Sequence, residues 1–179
     1  YFKISKMAEC TIEDGESPAV EVAGEAGAEY ILAFDPSWSE SEASDDFAMQ
    51  VIKLIPEEKK GVVVHSYALP GTNLKKHMTY FKYIIDHFNV IMVVGDYNGG
   101  VQFMNSCNES DLFKKDKLEI GMFDAGLDNP HDYVKDLKEA RRGYNVSNKT
   151  ICYLRKPTSV WIRNGNEMLQ TAFDRKRLY

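Results

Sequence analysis

The chain reads as an α/β protein, a mixed β-sheet flanked by helices on both faces. Three observations predict this class. Three short apolar runs follow one another with no helix between them, the pattern of consecutive hairpin strands. An amphipathic helix and a near-continuous apolar strand come next. Strand-like and helical segments then alternate to the end, as in a sheet covered by helices.

Taken in order, residues 1–28 read as a lead-in. The stretch "ECTIEDGESPAVEVAGEAGAE" is acidic and rich in Gly and Ala, so it reads as a linker with at most one short strand over 19–22. "EYILAF" is a first strand, short, apolar and closed by the turn signal Asp35-Pro36. "FAMQVIKLI" is a second strand with Phe47, Met49, Val51 and Leu54 inward; a helix is its competitor, because Ala and Met favour one. "IPEEKKG" is a turn and "GVVVHSYAL" a β-branched third strand.

Leu74, Met78, Phe81, Ile85 and Phe88 then recur at steps of three and four, which predicts an amphipathic helix capped by Thr72 or Asn73. "VIMVVGD" is a fourth strand buried on both faces, and it ends on Asp96. Residues 101–117 read as helical with a break between Asn105 and Ser110. "LEIGMFD" is a weaker fifth strand, "DNPHDYVKDLKEARRGYN" a short helix stopped by Gly143, and "TICYL" an edge strand. "TSVWIRNGNEMLQTAFDRKR" is a closing helix with Trp161, Met168, Leu169, Ala172 and Phe173 on one side. "RLY" reads as the start of one more strand.

A chain of 179 residues is long enough for one domain with a full core. Its hydrophobic fraction of 44% and charged fraction of 27% are those of a soluble globular protein. No apolar run approaches the roughly 20 residues that span a membrane, and no leader opens the chain, so no membrane partner is expected. The first residue is not Met, and the chain reads as a fragment. A net charge of −5 argues against a protein that coats nucleic acid, but not against an enzyme that cuts it. Cys10, Cys107 and Cys152 are far apart and make no zinc pattern, which suits a reducing compartment. His65, His77, His87 and His131 lack ligand spacing and read as structural or exposed.

The chemistry is carried by two strands that end on aspartate, Asp35 and Asp96. If those strands are neighbours, the carboxylates sit about 5 Å apart, and each raises the pKa of the other. A divalent cation relieves that repulsion, and hard oxygen donors suit Mg²⁺ or Mn²⁺. Such a pair can also hold two metals roughly 4 Å apart, the arrangement that hydrolyses phosphodiesters. The alternative is that each Asp caps a helix or starts a turn.

"ILAFDPSWSESEASDDFAM" followed by "VVGDYNGG" resembles the nuclease domain of the large terminase subunit of tailed bacteriophages. The resemblance spans about residues 29–179. It implies a ribonuclease H-like fold close to the Holliday-junction resolvases, with residues 1–28 leading from a packaging ATPase domain that is missing here. It implies a metal-dependent endonuclease that cuts concatenated double-stranded DNA at genome packaging, in the host cytoplasm, with the portal and the small terminase subunit as partners. Asp35 and Asp96 match the family's metal acids. Asp46, before Phe47, matches its loop acid and is preferred to Asp45. The family's third acid lies in a helix after the strand that "RLY" begins, so the domain is expected to be truncated at its C-terminus; Asp174 is a poor match. No GxxxxGK[ST] phosphate loop occurs.

Basic pairs are scattered, at Lys59-Lys60, Lys75-Lys76, Lys114-Lys115 and Arg175-Lys176-Arg177 among others. Arg141, Arg142, Arg155 and Lys156 are the preferred DNA-backbone contacts, on loops that flank the acids. A competing reading takes "DPSWS" as the Asp-x-Ser-x-Ser adhesion motif of von Willebrand A-type domains. Asp35, Ser37 and Ser39 would then hold one magnesium with Thr72 and Asp96, and Asn108, Asn145 and Asn148 would be sequons. Against it, that motif is followed by a helix, whereas "FAMQVIKLI" reads as a strand, and too few residues separate Asp35 from Thr72. A resolvase-type nuclease and an inactive domain of the same fold are the remaining alternatives.

Overall fold

The computed structural model describes residues 4–10, 20–37, 45–70, 73–116, 120–124, 151–156 and 158–178. These form helix α1 (Ile4–Glu9), strands β1 (Glu29–Asp35), β2 (Asp46–Ile55) and β3 (Lys60–Pro70), helix α2 (Leu74–His87), strand β4 (Val90–Asp96), helices α3 (Tyr97–Glu109) and α4 (Asp111–Lys114), strands β5 (Gly121–Asp124) and β6 (Ile151–Arg155), and helix α5 (Ser159–Asp174). The expected helix between Asp128 and Asn145 lies outside the described residues.

The strands make one mixed sheet of order β3-β2-β1-β4-β6-β5. β2 runs antiparallel to both β1 and β3, while β4 is parallel to β1, and β6 is parallel to β4 and to β5. "FAMQVIKLI" is therefore a strand and not a helix. Its alternation decides this: Phe47, Met49 and Val51 are buried, while Ala48 and Gln50 are more open. Leu54 is only half-buried, beyond a register shift at Val51/Ile52.

The core lies on the sheet face that α2 and α3 cover. Phe34 packs there with Phe81 and Phe103 at ring-centroid distances of 6.1 and 5.4 Å, and Phe47 lies 4.8 Å from Phe103. A buried Phe contributes about 1.5–3 kcal/mol. Space for the Phe34 ring comes from Gly95, where an added Cβ would lie 2.4 Å from two of its ring atoms. This contact seats the C-terminal ends of β1 and β4 against each other. Asn73 caps α2, its side chain accepting from the Lys76 N–H at 3.0 Å, while Thr72 lies outside the described residues. Phe81 and Phe88 are buried, and Leu74, Met78 and Ile85 pack partly against the core, as the periodicity predicts.

Four expectations are corrected. β6 is an interior strand between β4 and β5, with β5 at the edge; Cys152, Tyr153 and Leu154 are all buried. α3 starts at Tyr97 and not at 101, because Asp96 caps it, while its break at Ser110 before α4 falls where the sequence places one. Val20–Val22 is not a strand, yet the segment 20–28 is docked rather than loose. The Glu21 N–H donates to the Val64 carbonyl at 2.8 Å, Gly24 N–H donates to the His87 carbonyl at 2.9 Å, and Lys53 bridges Glu21 and Glu25 at 2.8 and 2.7 Å. Helix α1 was not anticipated either; it meets the end of α5 through Glu9–Lys176 at 3.6 Å.

α5 ends in a left-handed Lys176 with φ 49, and the Arg177 N–H donates to the Ala172 carbonyl at 2.8 Å, a Schellman closure. Of its expected inner face, Met168 and Leu169 are exposed and Ala172 and Phe173 half-buried. Leu178 then makes a single parallel bridge to Gly61 on β3, a minimal form of the strand expected from "RLY".

Candidate metal centre

β1 and β4 are parallel neighbours, and Phe34 is paired with Gly95. Carrying that register forward one residue sets Asp35 level with Asp96, on the face opposite Phe34, at a strand spacing of about 5 Å. Both carboxylates thus stand at the C-terminal edge of the sheet's central parallel pair, where the connecting loops begin. In open α/β sheets this edge is where ligands bind.

The two acids differ in how their charge is accommodated. Asp96 is the N-cap of α3, and its Oδ1 accepts from the Asn98 N–H at 2.6 Å. The positive end of a 13-residue helix therefore faces it. On its other side, Asp96 is in register with Arg155, the last residue of β6. Among the described residues Asp35 has no such support. Burial raises its pKa first, then the charge of Asp96, then that of Asp45. No positive group works in the opposite direction among the described residues.

The remaining candidates fall as follows. Asp46 is exposed, begins β2 and is paired with Pro70. It is not among the charges that act on Asp35, whereas its neighbour Asp45, set aside on sequence grounds, is. Arg155 is not on a loop: it ends β6 and is 3% exposed. Lys156 follows it and is exposed. Arg141, Arg142, Ser39 and Thr72 lie outside the described residues. Ser37 is half-buried, and the next described element after its loop is strand β2, not a helix.

His65 and His77 take structural roles. His65 lies between the Glu21 carbonyl (2.7 Å from Nδ1) and the Tyr80 hydroxyl (2.6 Å from Nε2), and His77 between the Tyr67 hydroxyl (2.9 Å) and the Pro70 carbonyl (3.1 Å). Burial pushes the His77 pKa down. Cys10, Cys107 and Cys152 are buried free thiols.

Residues that the sequence reading passed over lie beside Asp35. Register pairs Asp35 with Ala48 and Ala33 with Gln50. Together with the backbone of Phe34 and Met49 they line a hollow of about 170 Å³ on the open face. The period-two alternation of β2, which puts Asp46, Ala48 and Gln50 on one face, was the signal available for them.

A hard divalent cation fits this donor set as a water-rich site. Among the described residues no three His, Cys, Asp or Glu side chains come together. Within the described residues the donors at this point are two carboxylates, and Mg²⁺ characteristically keeps several waters alongside one or two carboxylates. Asp96 Oδ1 is engaged by the helix cap, which leaves Oδ2 for a ligand role. Comparison with models of known protein families and with curated proteins returns no match for this chain.

Proposed function

We propose that this chain is a divalent-metal-dependent endonuclease domain of ribonuclease H-like architecture, of the kind found in the large terminase subunit of tailed phages. The observation that carries the reading is the placement of Asp35 and Asp96 one residue beyond the Phe34–Gly95 pair, at the ends of adjacent parallel strands, with the charge of Asp96 acting on Asp35. The strand order β3-β2-β1-β4 with β2 reversed, and helices following β3 and β4, is compatible with that architecture.

In this reading Asp35 and Asp96 hold Mg²⁺ or Mn²⁺, and Asp45 and Asp46 add negative charge at the mouth of the site. The bound metal supplies Lewis acidity at the scissile phosphate and an activated water. The chain's own contribution is placement. The α3 cap fixes the Asp96 carboxylate in one orientation, and the Phe34–Gly95 contact sets β1 against β4, so both acids present oxygens to one point. In the hydrolysis, water oxygen bonds to phosphorus as the bond to the ester oxygen opposite breaks, and that oxygen leaves with a proton. Lys156 and the basic pair Arg141-Arg142 hold the duplex by its backbone, with little sequence preference. Concatenated double-stranded DNA at genome packaging is the substrate, delivered by a packaging ATPase domain.

The test is nicking of supercoiled plasmid with Mn²⁺, comparing wild type with Asp35→Ala and Asp96→Ala. Loss of nicking in both variants supports the reading, and equal nicking by all three proteins overturns it.

A further inference from the structure

The last residues of β1, β4 and β6 form a row of charged groups. Asp35 and Asp96 lie one residue beyond the Phe34–Gly95 pair, and Asp96 is in register with Arg155. All three belong to one face of the sheet. Leu154 packs on the other face: a Cβ added at Gly100 of α3 would lie 2.6 Å from Leu154 Cδ2 and 3.3 Å from the Phe34 ring. Side chains alternate along a strand, so Arg155 belongs to the face opposite Leu154, as Asp35 belongs to the face opposite Phe34. Exposure falls along the row: Asp35 is exposed, Asp96 half-buried and Arg155 3% exposed. Tyr153, two residues earlier on β6 and on the same face as Arg155, is buried as well. The row is therefore open at β1 and closed at β6.

A surface arginine carries its charge out to water at the end of a long stem. Arg155 is buried and engaged within the chain, so its charge stays inside the protein, one strand over from Asp96. That fixed cation limits what the acids can hold. Asp96 and Asp45 are the acids whose charge acts on Asp35. Among the described residues, three negative charges and one positive leave a balance of two negative, which one divalent ion neutralises. A second ion on the β6 side of Asp96 would meet the Arg155 charge at short range, and among the described residues no third carboxylate joins the pair to offset it. We propose that Arg155 is a positioning residue that stands in for a second metal, so that Asp35 and Asp96 hold one divalent cation and not two. The inference rests on the metal-centre part of the nuclease reading and sharpens it, since the field of Arg155 supplies the further positive charge that a phosphate in the site would meet.

Mn²⁺ binding to the whole chain tests it. Calorimetry should give one ion per wild-type chain, lost in Asp35→Ala. The saturated protein should show the sharp electron paramagnetic resonance spectrum of an isolated Mn²⁺, whereas two ions roughly 4 Å apart would couple and broaden it. Arg155→Met keeps the bulk of the side chain and removes its charge. It should bind the first Mn²⁺ about tenfold more tightly and admit a second, the effect of deleting a unit charge close to a divalent one. Arg155→Lys keeps the charge and should stay at one ion. A merely structural role would lower the melting temperature of Arg155→Met and leave its Mn²⁺ affinity and stoichiometry at the wild-type values, which overturns the proposal. Two coupled, Asp35-dependent ions in wild type overturn it too and leave the nuclease reading standing, and that measurement needs no variant to fold. Absence of any Asp35-dependent Mn²⁺ binding in wild type overturns both.

Discussion

Replacing Asp35 by Asn removes one negative charge and keeps the shape of the side chain. Asp35 and Asp96 stand on neighbouring strands about 5 Å apart, so their repulsion is about 3 kcal/mol at an effective dielectric of 20 and about 0.8 kcal/mol in bulk water. Asp35 is exposed, which favours the lower figure, about 1 kcal/mol. For a domain of this size 1 kcal/mol corresponds to about 2–4 °C in melting temperature. Asp35→Asn should therefore melt about 2–4 °C above wild type near neutral pH with a chelator present.

The sign with pH follows from the raised pKa of Asp35. A raised carboxyl pKa favours folding while the group is protonated, and that contribution is lost as pH rises through the folded-state value. The advantage of Asn should hence be full above that value and vanish as pH falls below the ordinary 3.8. Millimolar Mn²⁺ should reverse the ranking, since only wild type gains binding energy from it. Differential scanning calorimetry at several pH values, with and without metal, reads all three effects. A lower melting temperature for Asp35→Asn in chelator near neutral pH would refute the claim that Asp35 is uncompensated.

Asp96 separates in a different way: Asp96→Asn keeps the α3 cap and Asp96→Ala loses it. Urea melts should show a cost of about 1 kcal/mol for Ala alone, while both variants lose Mn²⁺ affinity in calorimetry. Gly95→Ala forces a Cβ against the Phe34 ring and should cost about 1–3 kcal/mol in the same melts, with weakened metal affinity because β1 and β4 are pushed apart. Glu21→Ala removes a nearly buried partner of Lys53 and of the Tyr30 hydroxyl, and should cost about 1.5–3 kcal/mol. Burial alone would lower the Lys53 pKa, but its hydrogen bonds to Glu21 and Glu25 raise it to about 12. The effect of the variant should therefore be steady at neutral pH and shrink only as pH climbs above 10.5 through about 12, which chemical melts in alkaline buffer can follow.

Strands β1 to β4 and helix α2 were legible because each satisfies its own periodicity within a few residues. Strand order is not local in this way. "TICYL" is as short as an edge strand, and nothing in its five residues says that β5 will pair outside it. The segment 20–28 misled for another reason. Its Gly, Ala and Glu composition is that of a linker, yet it docks through the backbone of Glu21 and Gly24 and the carboxylates of Glu21 and Glu25, none of which leaves a hydrophobic pattern. At the site, Asp35 and Asp96 stood out as strand-terminal acids, and the parallel pairing of β1 with β4 brings them level. The choice of Asp46 over Asp45 rested on position relative to Phe47. Which of the two carboxylates acts on Asp35 depends on the path of the loop, which spacing does not encode.

The helix-capping role of Asp96 and its proposed ligand role do not compete. A carboxylate has two oxygens, and the Asn98 N–H takes one. The cap fixes the orientation of the other. Asp35, level with it on β1, has neither a cap nor a helix end beside it among the described residues. Although the residue is exposed, partial desolvation and two other acids oppose its charge. Metal affinity at the proposed site would have two separate sources: an ordered oxygen from Asp96, and the release of repulsion at Asp35. The second source would make the site selective for charge. A monovalent cation would relieve only part of the repulsion, whereas a divalent one reverses it, and in proportion more of its binding energy should vanish when Asp35, rather than Asp96, becomes Asn.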